Sequence, residues 1–470
     1  PLAERARVAL RRAGDRALSL NAFEAAVRFY ASALELTSSE DPDRPRLLLA
    51  SGEAQWMAGG VPEGILSEAI RLLVEAGDSE HAARGELMLG DIEWRRGQRD
   101  LAYAHVDRAV GLLKNSPPSS TKARVLSEVS RYHMLGGRVE EAIDIGWEAH
   151  SMSEQLGIRE VQAHALDNIG TARAYRGDLG GIDDLRRSIE IASGAHSVEE
   201  LRARNNLGAV LIAAGDFRGG VEAWTPGIEL AEHFRGVPNA EWILTERMPI
   251  AYGEGRWDDL ERLMDEFLAE LGPTHYQAGF VHEIRSRVRV ARQDLAGALA
   301  DADTALARGR LAKDPQRLLP ALANSAFTLL HAGRVEACSS RVNELMSLDP
   351  FRTSVSHSNS PVLDLAWILT ALGRGEECLE GAAGVEDLTR WHRAGVAFVR
   401  GDVERAVEIC TEIGVLPNEA YMRLRAAAKL LEDGRAETAE AQIEKALGFY
   451  RSVGAHAYIR EAEALMAASA

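Results

Sequence analysis

A turn recurs along this sequence at almost fixed spacing. It reads "LNAFEAA", "AGGVPEG", "RGQRDLA", "GGRVEEA", "RGDLGGI" and "AGDFRGG", then "EGRWDDL", "RQDLAGA", "AGRVEAC", "LGRGEEC", "RGDVERA" and "DGRAETA". The turn residues are Asn21, Gly59, Gly97, Gly137, Gly177, Gly215, Gly255, Gln293, Gly333, Gly373, Gly401 and Gly434. Nine successive intervals are 38 or 40 residues, and the last two are 28 and 33. A repeat of this length is one supersecondary unit that cannot bury its apolar face alone, so the copies must stack in a row.

The flanks make each unit a helical hairpin. Apolar residues at helical spacing precede the turn, as in "AHALDNIGTARAY" and "RARNNLGAVLIAA", and follow it, as in "AAVRFYASALEL" and "ALADADTALA". Sustained two-residue alternation and Asn-Gly hairpins are absent, so essentially no strand is expected. Small residues hold register with the turn: Gly14, Gly90, Gly170 and Gly208 in first helices, with Ala326, Ala394 and Ala427 in the same place later. Second helices carry small pairs seven apart, among them Ala26/Ala33, Ala102/Ala109, Ala142/Ala149, Gly220/Gly227, Ala298/Ala305 and Ala439/Ala446. A larger residue such as Tyr30, Val106, Trp224, Val342 or Ile443 lies between. Helices approach closely only where side chains are small, and the larger residue fills the space beside the contact.

This small/large/small signature, from about Ala13 to Leu447, resembles the tetratricopeptide repeat family. The resemblance implies an all-α, TPR-like α-solenoid: a right-handed superhelix of about twelve helical hairpins. The period departs from the family's roughly 34 residues, so helices or inter-unit loops should be longer. Units two, seven and ten are degenerate, with Leu260 at an expected small position. Residues 1–350 are expected to hold the regular repeats, and 362–470 the shorter repeats and a capping helix, "GAHAYIREAEALMAASA". Between them "FRTSVSHSNSP", Phe351 to Pro361, is the best candidate for a mobile loop.

Composition narrows the function. The net charge of −17, from 54 basic and 71 acidic residues, repels phosphate backbones, so no nucleic-acid partner is expected. No apolar run is long enough to span a membrane, and no signal-peptide core opens the chain. Beginning at Pro1 rather than Met, the chain is expected to be a fragment of a longer polypeptide. Cys338, Cys378 and Cys410 are too few and too far apart for a disulfide framework or a zinc site, which points to a reducing, cytoplasmic compartment. All three sit in packing slots of the repeat and read as buried hydrophobes rather than nucleophiles.

Other residues that look chemical have a structural explanation. Glu140-Glu141, Asp183-Asp184, Asp258-Asp259 and Glu376-Glu377 follow turns, where the dipole of a starting helix favours acids, so they are not read as a glycosidase pair. His164, His282 and His392 fall in first helices and lack metalloprotease spacing. Phosphate loops, dinucleotide fingerprints and nucleophile elbows are missing, so no catalytic residue, metal or cofactor is expected. "EIRSRVRVARQ" places Arg285, Arg289 and Arg292 on one helical face, read as a face paired with neighbouring acids, with a docking patch for an anionic partner as the alternative.

First helices of such arrays line the concave surface. Asn168, Asn206 and Asn324 each lie two residues before the recurring small position, with Arg124, Arg131, His164 and Arg202 in the fourth to sixth units. The set Arg124, Arg131, His164, Asn168, Arg202 and Asn206 resembles the groove of peptide-binding tetratricopeptide domains. There asparagine meets a ligand's backbone and basic groups meet its carboxylate. A protein or peptide ligand is expected, or a small anionic molecule. "RAGDRALSLNAFEAAVRFYASALEL" and "ALDNIGTARAYRGDLGGIDDLRRSIEIA" are in addition similar to the C-terminal repeat region of bacterial STAND-type signalling ATPases, the LuxR-type large ATP-binding regulators and the ATPase-linked class III nucleotide cyclases. That resemblance implies a non-enzymatic sensor array controlling an adjoining ATPase, cyclase or transcription-regulator module. The alternative is a constitutive structural or dimerisation scaffold without a regulated ligand.

Overall fold

The computed structural model describes residues 2–20, 22–96, 98–195, 199–233, 240–272, 275–312, 314–352 and 361–469. Among them all regular structure is helical. Twelve hairpins follow one another. The first six are α1 (Leu2–Ser19) with α2 (Phe23–Glu35), α3 (Arg44–Met57) with α4 (Glu63–Glu75), α5 (Ser79–Arg95) with α6 (Arg99–Leu113), α7 (Ser120–Leu135) with α8 (Val139–Gln155), α9 (Arg159–Tyr175) with α10 (Gly181–Gly194), and α11 (Glu199–Ala213) with α12 (Phe217–His233). In the seventh, a broken first helix, α13 (Ala240–Thr245) and α14 (Arg247–Gly253), pairs with α15 (Trp257–Leu271). Then come α16 (Ala278–Arg292) with α17 (Leu295–Ala312), α18 (Pro315–His331) with α19 (Val335–Met346), α20 (Pro361–Ala371) with α21 (Gly375–Ala383), α22 (Arg390–Val399) with α23 (Val403–Ile413), and α24 (Leu416–Glu432) with α25 (Ala436–Val453). The capping helix α26 (His456–Ser469) ends the series. The break before α14 has a local cause: Pro249 lacks the N–H that would reach the Thr245 carbonyl, and its ring crowds that carbonyl.

The turn residues named from the spacing are the ones that end the first helices. Ten of the twelve are described, and all ten lie in the left-handed region with φ between 70° and 93°. Asn21 and Gly97 lie outside the described residues. The residue after the turn closes the end by donating back to the fifth residue before it, as Arg138 N–H does to the His133 carbonyl at 2.9 Å. Gln293 adopts the same conformation at φ 72° without glycine's freedom. The loop expected at Phe351–Pro361 lies at 353–360 outside the described residues; Phe351 and Pro361 themselves are buried.

The small positions are contact points. Ala26, Ala33, Ala102, Ala109, Ala142, Ala149, Ala298, Ala439 and Ala446 are fully buried, as are the larger residues between them, Val106, Trp224, Val342 and Ile443. A methyl group on Gly14 would stand 2.6 Å from the Tyr30 ring, and one on Gly220 2.5 Å from Ile212. At the degenerate seventh unit Leu260 is fully buried in the slot that elsewhere holds a small residue.

The chain divides into two compact units, one made chiefly of Pro1–Ile169 and the other chiefly of Gly170–Glu190, Val198–Arg235 and Asn239–Ala470. The second unit closes on itself at a regular interval. Trp391 of the eleventh hairpin is buried, and its indole N–H donates to the Ile212 carbonyl of the sixth at 2.7 Å. The Arg390 guanidinium donates to the Gly215 carbonyl at 3.0 Å. One repeat later, Phe449 of the twelfth hairpin meets Trp257 of the seventh, ring centroids 6.0 Å apart. One step further, α26 packs on α16 of the eighth hairpin. Each hairpin here touches the one five places along, so one superhelical turn takes about five hairpins.

Candidate functional site

Four of the six residues expected in the groove belong to the first unit, and each is engaged by the protein. The Arg124 guanidinium donates to Glu160 at 2.9 Å. Arg131 donates to Glu128 at 2.8 Å, lies near Asp91 at 3.5 Å, and covers the Tyr132 ring at 4.7 Å. His164 is buried; its Nδ1 is 2.6 Å from Ser127 Oγ and its Nε2 is 3.5 Å from Glu128. The fully buried Asn168 amide donates to the Ser127 carbonyl of the preceding hairpin at 2.8 Å. The last two, Arg202 and Asn206, stand half-buried on α11 of the second unit. Asn324, two residues before Ala326, is fully buried on α18, and both its side-chain polar atoms lack a hydrogen-bond partner among the described residues.

The other chemical-looking residues take structural parts. The paired acids all open second helices, α8, α10, α15 and α21. Several also pair with a base at the turn, as Glu377 does with Arg374 at 2.6 Å. The arginine stripe turns inward: Arg285 and Arg289 donate to the buried Asp301 at 2.7 and 2.6 Å, and Arg292 to Glu261 at 2.7 Å. Burial opposes ionisation of Asp301, but hydrogen bonds from His282 and Arg285 and the charges of Arg285 and Arg289 outweigh it and hold the carboxyl at about 2. Burial pushes the Cys338 and Cys378 thiols up to about 11 and 12, and Cys410 further up, so none is poised as a nucleophile. Among the described residues no group of His, Cys, Asp and Glu could hold a metal ion, and no helix is long and apolar enough to cross a membrane.

What the sequence reading missed is a cleft in the second unit. A narrow, partly open cleft lies where the five-hairpin recurrence brings α24, α25 and α26 against α14, α16, α18 and α20. Eight aromatic rings wall it, including Trp367, Tyr421, Tyr450 and Tyr458. They pack edge to face or tilted: Trp367 and Tyr421 centroids are 4.6 Å apart, Tyr421 and Tyr458 5.5 Å, Tyr450 and Tyr458 5.0 Å. Burial drops His331, behind Tyr421, to about 4, so it is neutral there. Arg287 adds a guanidinium to the wall, held in two parallel contacts by the buried Asp364, one of them 3.1 Å. Two donors stay open: Trp367 Nε1 and Tyr450 Oη are buried and have no hydrogen-bond partner among the described residues. Buried donors are normally satisfied, and leaving one bare costs about 1–3 kcal/mol.

Comparison with known proteins places the fold. No family model and no curated protein matches the chain. Among solved structures it is similar to a Rap protein complexed with Competence and Sporulation Factor, with a TM-score of 0.53 and 14% identity over 74% of this chain and 99% of that one. It also aligns with the APC/C hetero-tetramer Cut9-Hcn1 (TM-score 0.47, 13% identity, 98% of this chain and 96% of that one) and with yeast Tom70 (TM-score 0.32, 13% identity, the same coverage). The likeness shows the fold: an all-α, tetratricopeptide-like solenoid.

Proposed function

We propose that the chain is a non-enzymatic binding and sensing array. It takes a protein segment, a peptide or a small anionic molecule on the face lined by first helices, and passes that event to an adjoining signalling module of the ATPase, cyclase or transcription-regulator kind. The observation that carries this reading is the aromatic cleft of the second unit. Its walls come mainly from first helices, and it keeps two buried donors, Trp367 Nε1 and Tyr450 Oη, without partners among the described residues. Rings supply apolar area at low entropic cost, and the open donors match the carbonyl or carboxylate oxygens of a ligand. The similar Rap structure was solved with Competence and Sporulation Factor bound, which supports a binding role for the fold. The sequence-derived residues belong to the same proposal as further first-helix contacts, Arg124, Arg131, His164 and Asn168 within the first unit and Arg202 and Asn206 within the second.

The constitutive-scaffold reading has one observation in its favour: the partners Glu160, Glu128 and Ser127 already hold Arg124, Arg131, His164 and Asn168. The experiment is a thermal-shift screen of peptides and metabolites on the 470-residue chain, followed by titration of each hit against two sets of variants. Trp367→Phe with Tyr450→Phe removes the open donors and keeps the rings; Arg131→Ala with Asn168→Ala and Arg202→Ala strips the sequence-derived residues of both units. Sensing requires that a hit lose about tenfold or more in affinity with one set. No hit, or hits indifferent to both sets, rejects it in favour of the scaffold.

A further inference from the structure

The arginines of α1 divide by the side of the helix on which they stand. Arg7 is buried and pairs with Glu4 at 2.7 Å, and Arg11 lies 3.8 Å from Asp43, the residue before α3. Arg5, Arg12 and Arg16 are exposed, and among the described residues none of the three has an ion pair. At about 100° per residue they fall within about 40° of arc and make one stripe. In a chain of net charge −17, three uncompensated guanidiniums on one helix face reverse the local sign of the surface.

The opposite pattern stands on α8. Its 17 residues carry Glu140, Glu141, Asp144, Glu148 and Glu154 and no lysine or arginine. Glu141, Asp144 and Glu148 are exposed, and among the described residues none of these three has an ion pair. They lie within about 60° of arc. Beside them stands Trp147, 43% exposed, with the His150 ring edge-on at 5.5 Å between centroids. The helix dipole accounts for Glu140 and Glu141 in the first turn, but its reach ends before Asp144 and Glu148, and it gives no reason for an exposed indole. Tryptophan and arginine are the residue types enriched where proteins meet.

The two faces match. Arg12 and Arg16 are four residues apart, as are Asp144 and Glu148, so each pair spans about 6 Å along its helix and both contacts can close together. A guanidinium that reaches these carboxylates also reaches the indole, where it gains a cation–π contact. Within one chain the faces are kept apart, since α1 opens the first hairpin and α8 closes the fourth, with two stacked hairpins between them in the same compact unit. A second copy supplies the missing face to each.

We infer that the chain associates with itself, the arginine stripe of α1 in one copy seated on the acidic, tryptophan-bearing face of α8 in another. None of these residues lines the aromatic cleft or belongs to the sequence-derived ligand contacts, so the test below leaves the proposed function to its own screen.

Sedimentation equilibrium of the 470-residue chain, from about 1 to 200 µM, should show self-association with Kd below about 100 µM. Reversing the stripe (Arg12→Glu with Arg16→Glu) or the acidic face (Asp144→Arg with Glu148→Arg) should each weaken it about tenfold or more, and Trp147→Ala likewise. These side chains are exposed, so circular dichroism and the thermal midpoint should stay those of the parent. The decisive arm mixes the two reversed variants. Each repels itself and complements the other, so the mixture should associate at least as tightly as the parent. A chain that stays monomeric to about 200 µM overturns the assignment. So does self-association that neither reversal weakens, which would place the contact on another face, and so does a mixture no tighter than the separate variants.

Discussion

Alanine at Gly208 should destabilise the protein, although alanine is the better helix former. Gly208 stands on α11 against Trp224 of α12, which is fully buried. A methyl group built there overlaps the indole at Nε1 and Cδ1. The indole cannot simply withdraw, since its N–H donates to the Asn205 carbonyl at 2.9 Å. Helix propensity returns about 1 kcal/mol for glycine to alanine. Overpacking costs about 1–3 kcal/mol, and a strained or lost indole hydrogen bond about 0.5–1.5 kcal/mol more. The balance is a loss of about 0.5–3.5 kcal/mol. Gly111 in α6 and Gly448 in α25 are the controls, because a methyl on either meets nothing within 4 Å. There the same substitution should stabilise by about 0.5–1 kcal/mol. Urea denaturation followed by circular dichroism reads the three midpoints side by side. A Gly208→Ala midpoint at or above the parent's would refute the small-against-large register that underlies the whole stacking argument.

Three more outcomes follow from single residues. Gln293→Gly should raise stability by about 0.5–1 kcal/mol, because the side chain is strained at φ 72°; a lower thermal midpoint would contradict it. Burial pushes Glu283 from an ordinary 4.5 up to about 7, so the folded chain holds that proton more tightly than the unfolded one, and stability falls as pH rises from about 4.5 through about 7. Glu283→Gln removes this dependence: its advantage over the parent should be near zero at about pH 4.5 and reach the order of 2–3 kcal/mol by about pH 8, so a pH-independent difference would count against the burial argument. Asn324→Leu should be neutral or stabilising, since both amide atoms lack partners among the described residues, whereas Asn168→Leu should cost about 1–3 kcal/mol by stripping the Ser127 carbonyl of its donor; denaturation midpoints of the two decide.

The hairpins were legible because their signals are local. A left-handed turn residue announces itself as glycine, and Gly137, Gly255 and Gly434 hold the conformation their spacing implied. Small residues at seven-residue spacing report close helix contact within a few residues of chain, as Ala102 and Ala109 do. The paired acids at the starts of α8, α10, α15 and α21 likewise needed only their position after a turn. The aromatic cleft was not legible. Tyr252, Trp367 and Tyr458 meet only because of the pitch of the superhelix, which is the sum of many small inter-repeat rotations and is written at no single position. The groove set shows the same limit from the other side: Asn168 was placed on the right helix, but its partner is a carbonyl 41 residues upstream. Glu283 had a signal that went unused. In "FVHEIRSRV" it stands three residues after Phe280 and four before Arg287, an acid on a face that is otherwise core.

Ligand contact is made chiefly by first helices, joined at the aromatic cleft by Tyr450 of α25 and Tyr458 of α26. Hydrogen exchange on the whole chain, with and without a hit from the ligand screen, measures this directly. Slowed exchange should concentrate in α14, α16, α18, α20, α24, α25 and α26 around the aromatic cleft, or in α7, α9 and α11 if the sequence-derived residues are used. Protection confined to second helices such as α6, α8 and α17, or no change at any helix on saturation, would contradict it.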